Sequence, residues 1–286
     1  MISDITLGQF FPGYSPIHKL DPRTKIILAI AFIATVFVAN NPIAFIALAV
    51  CVSILVWISR ISFSVVLKGV KPIILILLFT ALINVFMTSG EGEPLFELGF
   101  IKIYTDGIVR AVFMALRVVI LIVGTSVLLT YTTSPISLTD GLESLLSPLK
   151  KVGVPVHTFA MMMSIALRFI PTLVEETEKI MNAQKSRGAD FTTGSLTQRA
   201  KALIPLLIPL FVSSFKRAEE LATAMECRCY RGDKNRTKLV KLEYKGRDIL
   251  WFLGFLLLVS IIIVLSCVPN GALPQNVIFN IAFYKI

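Results

Sequence analysis

Apolar residues in this chain come in long runs, not in the alternating or one-faced patterns of water-soluble elements. The longest, residues 249–268, is about 20 residues, and at ~1.5 Å rise per residue a helix of that length crosses a ~30 Å hydrocarbon layer. The same test places further membrane helices at residues 24–38, 43–58, 70–87 and 107–131. The first two are short, and the Asn40-Asn41-Pro42 step between them fits either a tight turn between two spans or a kink in one long helix.

Charge decides between these. With a turn at Asn41, the cations Arg60, Lys68 and Lys71 fall on the same side as Lys19, Arg23 and Lys25, as the excess of Lys and Arg in cytoplasmic loops requires. The loop over residues 88–104 carries Glu91, Glu93 and Glu97 against Lys102 alone and belongs outside. The expected topology therefore has a cytoplasmic N-terminus and an external C-terminus. Residues 6–25 hold Pro12, Pro16, Asp21 and Pro22 and lack the apolar core and small-residue cleavage site of a signal peptide, so no removal of this segment is expected.

Residues 132–248 form a long basic stretch with 18 Lys+Arg against 12 Asp+Glu, a large part of the chain's net charge of +10. Two parts of it, residues 154–174 and 202–215, are apolar enough to pass for spans. If both crossed, Lys179, Lys185, Arg187, Arg199 and Lys201 between them would lie outside, against the charge rule. They read instead as the membrane-side ends of two long helices. One starts at Pro155, where a missing N–H costs little, and stops before Gly188, a residue suited to a left-handed cap. The other is announced by the capping box Ser195-Leu196-Thr197-Gln198 and runs to about Cys227. A shorter amphipathic helix over residues 137–146, with Leu138, Leu142 and Leu145 on one face, precedes them.

The two long helices end alike. Ser186-Arg187-Gly188 closes one and Cys227-Arg228-Cys229 the other, at an offset of 41 that also aligns Ala183 with Ala224 and Glu178 with Glu219. Each arginine has small neighbours, which leave room for a partner to close around the planar, five-donor guanidinium. Stabilisation of a helix C-terminus or contact with lipid phosphate would explain the arginines equally well.

Composition agrees with a polytopic α-helical membrane protein: 55% of residues are hydrophobic, 16% are charged, and mean hydropathy is +0.79, far from the soluble average. Membrane topology and anionic headgroups explain the basic excess; nucleic-acid binding would call for a recognition motif or stacking aromatics, and neither accompanies the charge. The chain has no phosphate-binding Gly-x-x-x-x-Gly-Lys-Ser/Thr loop, so it is not its own ATPase of that type. His18 and His157 are too isolated for a zinc site, and Cys227-x-Cys229 lacks a zinc-knuckle spacer. Catalytic and metal-ligating residues are therefore not expected. Arg110 and Arg117 share a helical face in the fourth span, and such intramembrane charge is expensive. A secondary transporter built on Arg117 and Asn84 is one alternative, although no acidic relay residue lies in the spans. An ABC permease with a single coupling helix is another; two similar tips per chain argue against it.

The combination of Gly13-Tyr14-Ser15-Pro16-Ile17-His18-Lys19-Leu20-Asp21-Pro22-Arg23-Thr24-Lys25, Thr133-Ser134-Pro135, Ala166-Leu167-Arg168-Phe169-Ile170-Pro171 and the two arginine tips resembles the transmembrane T component of energy-coupling factor transporters, ATP-driven importers of vitamins and transition-metal ions. The resemblance covers nearly the whole chain. It implies an all-α integral membrane protein with about five transmembrane helices plus cytoplasmic coupling helices, divided into a four-span domain (1–131), a coupling region (132–246) and a last span with an external tail (247–286). It further implies a noncatalytic subunit of the cell membrane, without a cofactor of its own because ATP is bound by its partners. Those partners are two cytoplasmic ATPase subunits, docked through Ser186, Arg187, Gly188, Cys227, Arg228 and Cys229, and a membrane-embedded S component that carries the substrate. The family's tips have Ala where Ser186 stands, and Ala and Gly where Cys227 and Cys229 stand; all three replacements are small.

Overall fold

A computed structural model describes residues 10–39, 41–87, 96–98, 101–189, 191, 195–232 and 242–267. Its helices are α1 (Pro22–Val38), α2 (Pro42–Ser59), α3 (Phe63–Val70), α4 (Ile74–Met87), α5 (Thr105–Thr125), α6 (Pro135–Leu146), α7 (Val156–Ser186), α8 (Leu196–Cys227) and α9 (Gly246–Cys267). The described residues fall into two compact units, one drawn from those between 10 and 141 and between 242 and 267, the other from those between 142 and 232.

The expected turn at Asn41 is present: α1 ends at Val38, and Asn41 is the extended N-cap of α2 with Pro42 in the first turn, a position where proline loses nothing. The span expected from residue 70 begins earlier. Phe63–Phe86 is one apolar helical stretch of 24 residues, tightened into a 3₁₀ turn at Lys71–Ile73, where Pro72 cannot donate to the preceding turn. The segment expected as a plain external loop contains a short antiparallel hairpin, β1 (Phe96–Leu98) with β2 (Ile101–Ile103), pairing Phe96 with Ile103 and Leu98 with Ile101. Apart from this hairpin the described elements are helical, as expected.

Among the described residues five helices are long and apolar enough to cross a membrane: Pro42–Ser59, Phe63–Phe86, Gly107–Tyr131, Val156–Ser186 and Gly246–Ser266. Four coincide with expected spans. α1, with 17 residues, is about 25 Å long and falls just short of that length, whereas α7 meets the criterion although its charges had assigned it to the arm.

In the first unit α1, α2, α5 and α9 pack around Phe32, Val36, Leu48, Val52, Val127 and Ile262. Outward faces are apolar too, with Trp57 82% and Leu75 75% exposed, the reverse of a soluble surface and the condition for contact with lipid tails. α5 runs on into a π-helical turn at Ser126–Tyr131, which brings Tyr131, Thr132 and Thr133 into the interior. In the second unit α7 and α8 pack on each other.

Candidate functional site

The two arginine tips are built the same way down to their hydrogen bonds. At the end of α7 the Gly188 N–H donates to the Lys185 carbonyl (2.9 Å) and the Ala189 N–H to the Gln184 carbonyl (3.0 Å). At the end of α8 the Cys229 N–H donates to Glu226 (2.8 Å) and the Tyr230 N–H to Met225 (3.0 Å). Both are Schellman caps, in which a left-handed residue turns the chain back onto the last carbonyls. Arg187 and Arg228 occupy the same capping position, with φ/ψ of −89°/8° and −90°/14°. The next residue is left-handed in each, Gly188 at φ 86° and Cys229 at φ 57°. Glycine adopts that conformation freely, while a cysteine there costs about 1–2 kcal/mol.

All six tip residues are exposed, and among the described residues neither guanidinium has a hydrogen-bond or ion-pair partner. Ser186 Oγ turns back to the Asn182 carbonyl (3.1 Å). The tips thus offer two five-donor forks, unengaged among the described residues, on matching caps.

The helices that carry them are pinned together by Glu176 of α7, which accepts from Arg217 of α8 at 2.8 Å and from the Ser213 hydroxyl. Glu176 and Arg217 are themselves separated by the repeat offset of 41. Nearer the α7 tip, Gln184 donates to the Pro205 carbonyl at 3.5 Å. Pro209, four residues on, lacks the N–H that would otherwise take that carbonyl. Since Gln184 pairs with Pro205 and Glu176 with Ser213, rising numbers in α7 meet falling numbers in α8 and the helices cross antiparallel. Beyond the pin each helix continues for about 17 Å to its arginine, on opposite sides of the crossing.

A second constellation, missed by the sequence reading, joins two of the family-like motifs. Lys25, 1% exposed, donates from Nζ to the Thr132 carbonyl (2.7 Å), Thr133 Oγ1 (3.2 Å) and the His18 carbonyl (3.4 Å). Beside it Asp248 accepts from the Asp21 N–H through Oδ1 and from the Lys245 N–H through Oδ2, both at 2.8 Å. Asp21 also caps α1 through the Arg23 N–H (2.9 Å) and pairs with the Arg23 guanidinium (3.2 Å). His18 lies between Ser15 Oγ (2.7 Å) and the Phe11 carbonyl (2.9 Å). A Cβ at Gly13 would sit 2.9 Å from its ring, which explains the glycine. Partial burial lowers the His18 pKa, opposed by the Phe11 bond and reinforced by Lys25. The available signal was two charges, Lys25 and Asp248, at the edges of apolar runs.

The remaining candidates have structural roles. Arg117 donates to the Ala39 carbonyl (2.9 Å) at the end of α1 and lies over the Phe45 ring at 5.2 Å, whereas Asn84 donates to Thr80 in its own helix. The two do not converge on one site. His157 Nδ1 and Glu143 Oε1 are 2.8 Å apart, stapling the start of α7 to the end of α6. Among the described residues no group of three His, Cys, Asp or Glu side chains could hold a metal ion.

Residues 13–239 match the family described as cobalt transport protein. The chain is 54% identical over 261 residues to the energy-coupling factor transporter transmembrane protein of Clostridium kluyveri, covering 91% of this chain and 96% of that one. It is 53% identical over 248 residues to the protein of the same description from Bacillus subtilis, covering 87% and 93%. The corresponding protein of Thermosediminibacter oceani is 50% identical over 251 residues, covering 88% and 94%.

Proposed function

The chain belongs to the family of energy-coupling factor transporter transmembrane proteins, and from that membership we propose that it is the noncatalytic coupling subunit of an ATP-driven importer of vitamins or other micronutrients. Arg187 and Arg228 dock into two cytoplasmic ATPase subunits, and the crossed α7 and α8 carry the motion of those subunits to a membrane-embedded S component. The observation that supports this best is the identity of the two caps. A single arginine at a helix end has many explanations, but two in the same capping position, with unengaged guanidinium groups on opposite sides of one crossing, suit two similar sockets. In this reading the N-terminus and both tips are cytoplasmic and the C-terminus is external, as the loop charges require.

The test is purification of the tagged chain in mild detergent with its partners. Loss of one charged, hydrogen-bonded contact typically costs about 2–5 kcal/mol, and each ~1.4 kcal/mol is tenfold in affinity. Arg187→Ala or Arg228→Ala should therefore weaken one attachment by tens to thousands of times while the other tip still holds a subunit. The double variant should recover no ATPase, and Lys replacements should restore little, since lysine keeps the charge but loses the fork. Retention of both ATPase subunits and of substrate uptake by the double alanine variant would refute the docking role.

A further inference from the structure

On the membrane-facing side of the first unit, α1, α2 and α9 enclose an apolar slot of about 390 Å³, within the range of ligand sites. Phe32, Ile54, Ile58, Trp251, Gly254 and Phe255 are among its walls, and no charged residue lines it. α2 and α9 run antiparallel, because Asn41 at the start of α2 donates to the Leu265 carbonyl near the end of α9 (3.1 Å). The end of α2 and the start of α9 therefore share one mouth of the slot.

That mouth is basic. Arg60 caps α2 two residues beyond Ile58. Arg247 stands one turn before Leu250 and Trp251 on the same face of α9. Both arginines are exposed and have no acidic partner among the described residues. Of the nearby carboxylates, Asp21 and Asp248 are buried and already engaged, and the exposed Glu243 forms no ion pair with either arginine among the described residues. Toward the opposite ends of these helices, at Asn41 and Leu265, the cation is Arg117, which is not among the lining residues and is already engaged by the Ala39 carbonyl (2.9 Å). Along α2 the walls run from Ala47 to Ile58, about 17 Å of helix or roughly half of a ~30 Å bilayer core. An apolar slot one leaflet deep, with the exposed Arg60 and Arg247 at its surface end and Trp251 near that end, has the polarity of an anionic amphiphile.

We propose that this slot is a binding site for an anionic phospholipid, with one acyl chain between α2 and α9 and the phosphate against Arg60 and Arg247. The site requires the helices to lie in a bilayer and does not depend on the ATPase-docking role of the tips.

The test measures lipid retention by native mass spectrometry, using the chain purified with its co-purifying partners and offered phosphatidylglycerol or phosphatidylcholine of equal chain length. The wild type should keep one phosphatidylglycerol and prefer it by about tenfold. Arg60→Gln with Arg247→Gln should abolish the preference but leave chain binding. Gly254→Leu should reduce retention of both lipids, since a Cβ at Gly254 meets no atom within 4 Å and the added side chain can fill the slot without displacing a wall. Photolabelling of the wild type with a diazirine-tailed phosphatidylglycerol gives a readout that needs no variant, and should mark residues 47–58 and 249–258 above the exposed face of α4. Equal labelling of α4, unchanged retention in Gly254→Leu, or loss of a polypeptide partner in place of lipid from that variant would overturn the proposal.

Discussion

Lys25→Met removes an ammonium group while keeping nearly all of the side chain's length and packing. The wild-type Nζ is fully buried and serves three acceptors, the Thr132 carbonyl at 2.7 Å, Thr133 Oγ1 at 3.2 Å and the His18 carbonyl at 3.4 Å, with Asp248 as the nearby negative charge. Methionine leaves the Thr132 carbonyl without its donor, at about 1–3 kcal/mol. It also leaves the Asp248 carboxylate without its counter-charge, and breaking a buried charge arrangement from one side typically costs about 3–5 kcal/mol in all. For a chain of this size that corresponds to a fall in melting temperature of roughly 5–8 °C. The assay is thermal unfolding in a single detergent, followed by intrinsic tryptophan fluorescence. Asp248→Asn should be destabilising as well, because Asp248 accepts through both oxygens and an amide can accept through only one. The double variant should cost less than the sum of the singles by about 1 kcal/mol or more, as coupled neighbours do. A Lys25→Met melting temperature within about 2 °C of wild type, or strict additivity in the double variant, would refute the view that these charges stitch the two motifs together.

Further outcomes are expected. Exchanging the ion pair as Glu176→Arg with Arg217→Glu should restore substrate uptake lost in either single variant, with ATPase co-purification intact throughout; uptake insensitive to all three changes would remove the pin from force transmission. With native cysteines replaced, a cysteine at Glu91, which lies outside the described residues, should react with an impermeant maleimide on intact cells and one at Ser195 should not, and the reverse pattern would invert the proposed topology. The His18 pKa is lowered from 6.5, so the folded state binds fewer protons than the unfolded state just below that pH. Stability should therefore decline as pH falls below about 6.5 and level off above it, and His18→Gln should flatten the melting temperature measured across that range.

The sequence by itself determined the elements whose signals are local. A run of about 20 apolar residues has no soluble alternative, so four of the candidate spans were legible, whereas α7, read as part of the arm, was not. The arm helices were legible at both ends, from Pro155 to Gly188 and from the Ser195–Gln198 box, which forms as expected with Gln198 N–H on Ser195 Oγ at 3.4 Å and Ser195 N–H on Gln198 Oε1 at 3.0 Å, because capping is settled within four residues. The likeness of the two tips was visible as a repeat, but their identical cap geometry was not: Cys229 adopts at φ 57° a conformation that sequence assigns to glycine, and the bonds of the Cys229 N–H to Glu226 and the Tyr230 N–H to Met225 hold it there. Tertiary structure alone decided which distant groups meet. Lys25 finds Thr132 across 107 residues and Asp21 finds Asp248 across 227, and Arg117 turns to the end of α1 instead of to Asn84. No local pattern encodes such pairs, because a buried donor or charge takes whichever acceptor packing brings within reach, and in an apolar interior leaving it without one is the costlier outcome.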